Sequence, residues 1–308
     1  SATFPSASKW TVASTPPTPS PVAPPGPIPS SPARPFSRPP ISPPSPPPSP
    51  PTSTPLTPFT SAWPYPRWIA HRGAGKLAPE NTLAAFRVGA SHGYRAFECD
   101  VKLSADGRPF LLHDDTLDRT TPQRGVAGRL DWAQLAGLDA GSWHGRSFAG
   151  EPIPSLDAIS RYCLRNGHAL NIEIKSTPGS EFETGRVVAA AAATLWLGEA
   201  VPPLLSSFRP ASLEGAREGA AQLPRALLLD ALEPGWFDIA VRLGCVAVVT
   251  QFRLMDAGVI AQLHGQGLRA LCYTVNDAAD ARRLLALGID GLITDAVDRF
   301  SPAGGLID

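Results

Sequence analysis

Two acidic residues and a histidine lie on neighbouring strand-like runs of the chain. Glu98 and Asp100 belong to the first run, Asp106 and Gly107 follow it, and the second run ends at His113. Side chains alternate along a strand, so Glu98 and Asp100 share one face. Asp-Gly favours a two-residue hairpin turn, which would place Asp100 opposite His113. A one-residue bulge would turn His113 partly away, and an exposed acidic hairpin with an incidental histidine is the alternative interpretation.

Three carboxylates could form a metal site. Glu98, Asp100 and Glu173 supply hard oxygen ligands without a thiolate, a set that favours Mg²⁺, Ca²⁺ or Mn²⁺ over Zn²⁺ or copper. Three neighbouring carboxylates also repel one another, and a cation would relieve that repulsion. The alternative is an ion-pair network in which Arg72 and Lys175 neutralise the acids without a metal.

Two histidines and two basic residues complete the candidate chemistry. An unperturbed imidazole has a pKa near 6.5, so His71 and His113 are candidates for general base and general acid near neutral pH. Arg72 and Lys175 add positive charge suited to a phosphate group. Phosphoester cleavage fits this set, with one histidine deprotonating a hydroxyl, the other protonating the leaving alkoxide, and a metal stabilising the phosphoryl oxygens. The residues alone identify neither the substrate nor which histidine takes which role.

The elements that must position these residues alternate between strand and helix. Eight strand-like runs alternate with helical runs, and the strands begin near residues 68, 96, 170, 204, 225, 246, 268 and 290. This alternation predicts a (β/α)8 TIM barrel over residues 63–308. The run at 109–113 is expected to pair with the second strand as a hairpin, followed by a loop insertion with a short helix near 131–138. Active sites of such barrels lie at the carboxyl ends of the strands, where the candidate residues fall.

The front of the chain has a different composition. Of the 36 prolines, 24 fall within the first 66 residues, and no acidic residue precedes Glu80. Such proline runs favour extended polyproline II and cannot form a core, so residues 1–62 are predicted to be a disordered extension. That extension is interpreted as non-functional, or as the product of a start site assigned too far upstream. The alternative is a spacer or an SH3-type ligand.

Composition also limits the partners and the compartment. The formal net charge is +0, which gives no basic surplus for nucleic acid. No apolar run reaches the roughly 18 residues of a membrane span, so stable membrane insertion is not expected. The four cysteines lack C-x-x-C spacing, which favours reduced thiols in a cytoplasmic protein.

Six motifs stand in order along the chain: HRG at 71–73, PENT at 79–82, ECDV at 98–101, HDDTLDRTT at 113–121, NIEIK at 171–175 and YTVN at 273–276. Together they resemble the glycerophosphodiester phosphodiesterase family, most closely its shorter cytoplasmic bacterial type. The resemblance implies a TIM barrel with a divalent metal, usually Mg²⁺ or Ca²⁺. It also implies hydrolysis of small glycerophosphodiesters, such as glycerophosphocholine or glycerophosphoethanolamine, to sn-glycerol 3-phosphate and an alcohol. In such enzymes a glycerol hydroxyl is thought to attack phosphorus first, giving a cyclic phosphate that water then opens.

The resemblance also implies roles for individual residues. His71 and His113 would be the acid/base pair, and the metal ligands would be Glu98, Asp100 and Glu173. The phosphate would be held by Arg72 and Lys175, while Tyr273 stands where the family often has tryptophan and would form an aromatic wall. In the PENT motif, Asn81 or Thr82 is expected to cap a helix and Glu80 to brace the rim.

Two alternative functions stay open at this point. A lysophospholipase D-type activity on lipid substrates would need an apolar rim, which Trp132, Trp143 and Phe148 of the insertion could supply. A non-catalytic scaffold acting through the proline-rich arm would need a missing catalytic group, and none is missing.

Overall fold

The computed structural model describes residues 63–302 and the backbone of residues 305–306. The predicted disorder of residues 1–62 lies outside the described residues.

Within the described residues, eight parallel strands close into a barrel, and one short antiparallel strand extends it. The parallel strands are β1 (Trp68–Ala70), β2 (Ala96–Leu103), β4 (Ala169–Ile174), β5 (Leu204–Ser207), β6 (Arg225–Leu229), β7 (Ala247–Gln251), β8 (Arg269–Tyr273) and β9 (Gly291–Thr294), and β3 (Pro109–Leu111) is antiparallel to β2. Each parallel strand pairs with the next, and β1 closes the barrel by pairing with both β2 and β9. The predicted (β/α)8 TIM barrel is therefore confirmed.

Helices occupy seven crossovers of the described barrel, and an eighth short helix lies in the insertion after β3. They are α1 (Leu83–Ser91), α2 (Trp132–Leu135, in the insertion), α3 (Leu156–Arg165), α4 (Glu181–Leu195), α5 (Pro210–Gly219), α6 (Trp236–Arg242), α7 (Ala257–Gly265) and α8 (Ala278–Ala286). Side-chain oxygens of Thr82, Ser155 and Asp256 accept hydrogen bonds from the first turns of α1, α3 and α7, which satisfies amides that have no partner within the helix. Two strands, β10 (Phe300–Ser301) and β11 (Gly305–Leu306), pair with each other after the barrel. None of the helices in the described part of the chain combines the length and apolar character needed to cross a bilayer.

The hairpin after β2 has a different register from the one expected. Its pairs are Val101 with Leu111, Lys102 with Phe110, and Leu103 with Pro109. Asp100 therefore lies opposite Leu112, whose amide donates to the Asp100 carbonyl at 3.1 Å. The predicted pairing of Asp100 with His113 is wrong.

The turn itself explains the shift. The amide of Ser104 donates to the carbonyl of Arg108 at 3.1 Å, so three residues rather than two form the loop. Gly107 ends that loop with a φ of +76°, a left-handed conformation that suits a three-residue hairpin loop. Asp106 accepts hydrogen bonds from the Ser104 hydroxyl and from the Trp132 amide, and so joins the turn to α2.

Candidate active site

The barrel interior determines which side chains reach its carboxyl end. One apolar cluster includes interior residues of β1, β2 and β8. Because side chains alternate along a strand, the residue two positions further on faces the same side. Three candidate residues therefore lie two positions beyond an apolar residue of this cluster, towards the carboxyl end of the barrel. They are His71 beyond Ile69, Glu98 beyond Ala96, and Tyr273 beyond Leu271.

A cavity of about 180 Å³ opens at this end of the barrel. Seven of the eight residues predicted from the sequence line it, namely His71, Arg72, Glu98, His113, Glu173, Lys175 and Tyr273. The eighth, Asp100, is buried and lies next to two of them: its carboxylate is 3.2 Å from Arg72 Nε and 3.7 Å from Lys175 Nζ. The fold therefore brings all eight residues together.

The three predicted metal ligands form one compact acidic cluster. One carboxylate oxygen from each of Glu98, Asp100 and Glu173 lies within 4.8 Å of the others, and all three residues are buried. Burial and the neighbouring carboxylates raise the pKa of Glu98 well above its ordinary value. Burial and the charge of Asp100 raise the pKa of Glu173 to about 7. Burial opposes ionisation of Asp100 as well, but the charges of Arg72 and Lys175 outweigh it and lower its pKa.

Two oxygens of this cluster lack a hydrogen-bond partner. Among the described residues, none bonds to Glu98 Oε1 or Asp100 Oδ1, although both atoms are buried. A buried acceptor without a donor is costly, and a hard cation would satisfy both oxygens at once. The residues present therefore fit a divalent metal.

The basic residues predicted for phosphate binding also contact the acids. Lys175 Nζ lies 2.6 Å from Glu173 and 5.4 Å from the centre of the Phe208 ring. Arg72 adopts a left-handed φ of 50°, and its amide donates to Glu98 at 3.0 Å. The predicted ion pairs thus exist, but two cations face three carboxylates, so one negative charge of the cluster has no matching cation in these pairs.

His71 is held by Asp295, a residue that the sequence places at the end of the last barrel strand but to which no role was assigned. Its Nδ1 lies 2.6 Å from Asp295 Oδ1, and the other carboxylate oxygen of Asp295 accepts from the Asn276 amide at 3.0 Å. Burial opposes ionisation of Asp295, but the hydrogen bond from His71 lowers its pKa. A carboxylate can only accept, so the proton of a neutral His71 belongs on Nδ1 and the Nε2 lone pair is free. That Nε2 lies 3.8 Å from Glu98.

His113 is held in the same way by the residue that follows it. Its Nδ1 lies 2.7 Å from Asp114 Oδ1. Burial lowers the pKa of His113, and a hydrogen bond from Arg119 is the main cause that lowers the pKa of Asp114 to about 2. Both histidines therefore line the cavity and have Nδ1 bonded to an ionised carboxylate, which leaves Nε2 as the nitrogen available for proton transfer.

Comparison with known proteins identifies the family. The model of the glycerophosphoryl diester phosphodiesterase family matches residues 71–299. The chain belongs to this family. A glycerophosphodiester phosphodiesterase of Caldanaerobacter subterraneus is 33% identical over 74% of this chain and 93% of its own length. The protein is thus a glycerophosphodiester phosphodiesterase, a phosphoric diester hydrolase.

Solved structures support the same assignment. A phosphodiesterase of Oleispira antarctica, in complex with the product sn-glycerol-3-phosphate, has a TM-score of 0.70 and 33% identity, covering 75% of this chain and 94% of that one. A glycerophosphodiester phosphodiesterase of Agrobacterium tumefaciens has a TM-score of 0.66 and 28% identity, covering 76% of this chain and 97% of that one.

The PENT motif of this family member does more than cap a helix. Thr82 is the cap of α1. Asn81 instead adopts a left-handed φ of 57°, and its side-chain amide donates to Asp100 Oδ2 at 2.8 Å while its oxygen accepts from the Asp100 amide at 3.0 Å. Glu80 accepts from Arg72 at 2.9 Å, which confirms that it braces the rim. The positive φ of Asn81 turns it from a capping position towards Asp100, and the sequence gives no signal of this.

A second, larger cavity of about 580 Å³ adjoins the first. Both cavities share His113, Glu173, Lys175, Phe208 and Leu228 in their linings. The aromatic residues expected to form a lipid-binding rim are not among the described residues that line either cavity: Trp132 packs against Phe110, and Trp143 packs against His144. These aromatic residues therefore do not form the apolar rim that the lipid-tailed alternative was expected to use.

Proposed function

We propose that this enzyme hydrolyses small glycerophosphodiesters, such as glycerophosphocholine or glycerophosphoethanolamine, to sn-glycerol 3-phosphate and an alcohol, with the help of Mg²⁺ or Ca²⁺. The observation that carries this proposal is the acidic cluster beside two histidines, each bonded through Nδ1 to a carboxylate. The family membership and the product found in the Oleispira antarctica relative support the substrate class.

The metal would be held by Glu98, Asp100 and Glu173. A divalent cation there would neutralise the excess negative charge of the cluster and polarise a phosphoryl oxygen. Arg72 and Lys175 would hold the remaining phosphoryl oxygens, because both cationic groups line the smaller cavity. Their positive charge would also oppose the repulsion between the acids and the anionic substrate.

The two histidines would carry the protons. One Nε2 would take the proton from a free glycerol hydroxyl, whose oxygen attacks phosphorus and forms a cyclic phosphate. The other imidazole, in its protonated form, would give its proton to the leaving alkoxide. Water would then open the ring with the two roles reversed, which returns both histidines to their starting states. His71 and His113 both line the smaller cavity, as this exchange requires.

Tyr273 would form one wall of the substrate site. Its hydroxyl donates to the Leu229 carbonyl at 3.1 Å, and its ring meets Phe208 edge-to-face at 5.6 Å. These contacts link the ends of β8, β6 and the residue after β5, so the wall is fixed before substrate arrives. The phosphorus would lie where the two cavities meet, because His113, Glu173 and Lys175 border both.

The catalytic domain would comprise residues 63–308, because the candidate site residues lie between His71 and Asp295. A reducing, cytoplasmic location is supported by the four cysteines, which are free and buried.

The test is an assay of sn-glycerol 3-phosphate release from a panel of glycerophosphodiesters with different alcohols, in Mg²⁺ and separately in Ca²⁺. Lysophosphatidylcholine serves as the matched lipid-tailed substrate. We expect release from the deacylated diesters and much slower turnover of the lipid. No release from any deacylated diester with either cation would refute the proposed function, and faster turnover of the lipid would favour the lysophospholipase D alternative.

A further inference from the structure

One arginine outside the predicted site connects two of its members. Arg119 lies in the insertion between β3 and α3, and its guanidinium bonds to two carboxylates at once. It donates to Asp114 from Nε at 2.7 Å and from Nη2 at 3.0 Å. It donates to Glu80 from Nη1 and from Nη2, both at 2.7 Å.

Each of these carboxylates holds a residue that lines the smaller cavity. Asp114 bonds to Nδ1 of His113 at 2.7 Å. Glu80 accepts from Nη1 of Arg72 at 2.9 Å. The contacts therefore form one continuous chain, in the order His113, Asp114, Arg119, Glu80, Arg72.

We propose that Arg119 is a positioning residue, which fixes the His113 imidazole through Asp114 and the Arg72 guanidinium through Glu80. This inference rests on the proposed function of His113 and Arg72. A guanidinium suits the task because its planar fork can bond two carboxylates with fixed geometry, whereas a lysine ammonium is a point charge. Without Arg119, Asp114 could rotate away from His113 Nδ1, and Glu80 would lose the partner that holds it opposite Arg72.

Arg119 also contacts another residue of the insertion, Trp143. Its guanidinium lies 5.9 Å from the centre of the Trp143 ring, a distance at which a cation is attracted to an aromatic face. The side chain is nevertheless 43% exposed, so a small solute can reach the place that it occupies.

The test compares Arg119→Ala with Arg186→Ala. Arg186 is a matched control, because it is 44% exposed and also makes a two-point contact with a carboxylate, that of Glu183, but on α4. We expect Arg119→Ala to lower kcat by about tenfold to hundredfold, part of the roughly 10²–10⁴-fold that a general acid–base group supplies, and Arg186→Ala to leave kcat unchanged. The two variants should unfold at similar temperatures.

Chemical rescue separates a positioning role from a merely structural one. Guanidinium at low millimolar concentration should restore part of kcat to Arg119→Ala, and should not raise that of wild type. Arg119→Lys should stay as slow as Arg119→Ala, because its ammonium cannot span both carboxylates. A wild-type kcat in Arg119→Ala, or a loss that guanidinium fails to restore, would overturn the inference.

A readout independent of turnover keeps this test apart from that of the proposed function. Imidazole ¹⁵N NMR, with the His113 signals assigned through His113→Asn, should show a neutral ring protonated on Nδ1 in wild type and a mixture of tautomers in Arg119→Ala. Identical His113 tautomers in both proteins would overturn the positioning role, even if the wild type cleaves glycerophosphodiesters. If the His113 tautomer changes in Arg119→Ala but the wild-type enzyme cleaves no glycerophosphodiester, the proposed function alone would be refuted.

Discussion

Replacing Glu173 by glutamine is expected to stabilise the metal-free protein at neutral pH and to weaken its hold on a divalent cation. Burial and Asp100 raise the pKa of Glu173 to about 7, from the ordinary value of about 4.5 for a glutamate. A difference of one pKa unit corresponds to about 1.4 kcal/mol of free energy, so ionisation of Glu173 destabilises the metal-free folded state by roughly 3 kcal/mol. Glutamine keeps the shape of the side chain and carries no charge.

The sign of the pH dependence follows from the raised pKa. The folded state holds the Glu173 proton more tightly than the unfolded state, so this contribution to stability is fully present below about pH 4.5 and is lost as the pH rises through about 7. The advantage of Glu173→Gln over wild type should therefore be small at pH 5 and should grow towards pH 8.

Thermal unfolding in excess chelator at several pH values measures this difference. The melting temperature of a domain of this size rises by about 2–4 °C for each kcal/mol added to its free energy of unfolding. Glu173→Gln should therefore unfold several degrees above wild type at pH 8. Adding Mg²⁺ or Ca²⁺ should stabilise wild type more than the variant, because only wild type has the third carboxylate ligand. Glu199→Gln, which changes an exposed glutamate, is the control. If Glu173→Gln unfolds below wild type in chelator at pH 8, or binds the cation equally well, the electrostatic argument for the cluster is wrong.

Four further outcomes are expected. His71→Ala and His113→Ala should each lower kcat by about a hundredfold or more, the range of general acid–base groups; near-normal rates in steady-state assays of both variants would refute the pairing. Asp295→Asn should lower kcat by about tenfold or more, since an amide no longer fixes the Nδ1–H tautomer of His71, and an unchanged rate would show that Asp295 does not orient it. Asn81→Asp should weaken cation affinity by about tenfold to hundredfold in titration calorimetry, because it replaces a donor to the metal ligand Asp100 with a like charge; equal affinity would remove that role. Deleting residues 1–62 should leave turnover unchanged, and a large loss would favour a functional arm.

The alternation of strands and helices, and the residues that gather at one end of the barrel, could be predicted from the sequence. Both depend on local signals: apolar runs of strand length, glycines between elements, and polar residues just after the runs. His71 and Glu173 were found this way because each lies at the carboxyl end of a parallel strand. Their meeting in one cavity then follows from barrel closure alone.

The partners of the histidines and the hairpin register could not be predicted in the same way. Asp295 directly follows β9, and barrel closure brings it near His71, but its role depends on a side-chain contact at 2.6 Å that the sequence pattern does not specify. The register of β3 depends on Gly107, which ends a three-residue loop where the Asp-Gly pair suggested two. Arg119 lies within the HDDTLDRTT motif, but no role for it could be predicted, because its importance lies in the two carboxylates that it joins rather than in its position after a strand.

The most direct test of cation-dependent phosphodiester cleavage is the rate of sn-glycerol 3-phosphate release from glycerophosphocholine before and after chelation. Excess chelator should abolish the rate in wild type, and adding back Mg²⁺ or Ca²⁺ in excess over the chelator should restore it. A rate that is unchanged in excess chelator would contradict a catalytic cation held by Glu98, Asp100 and Glu173.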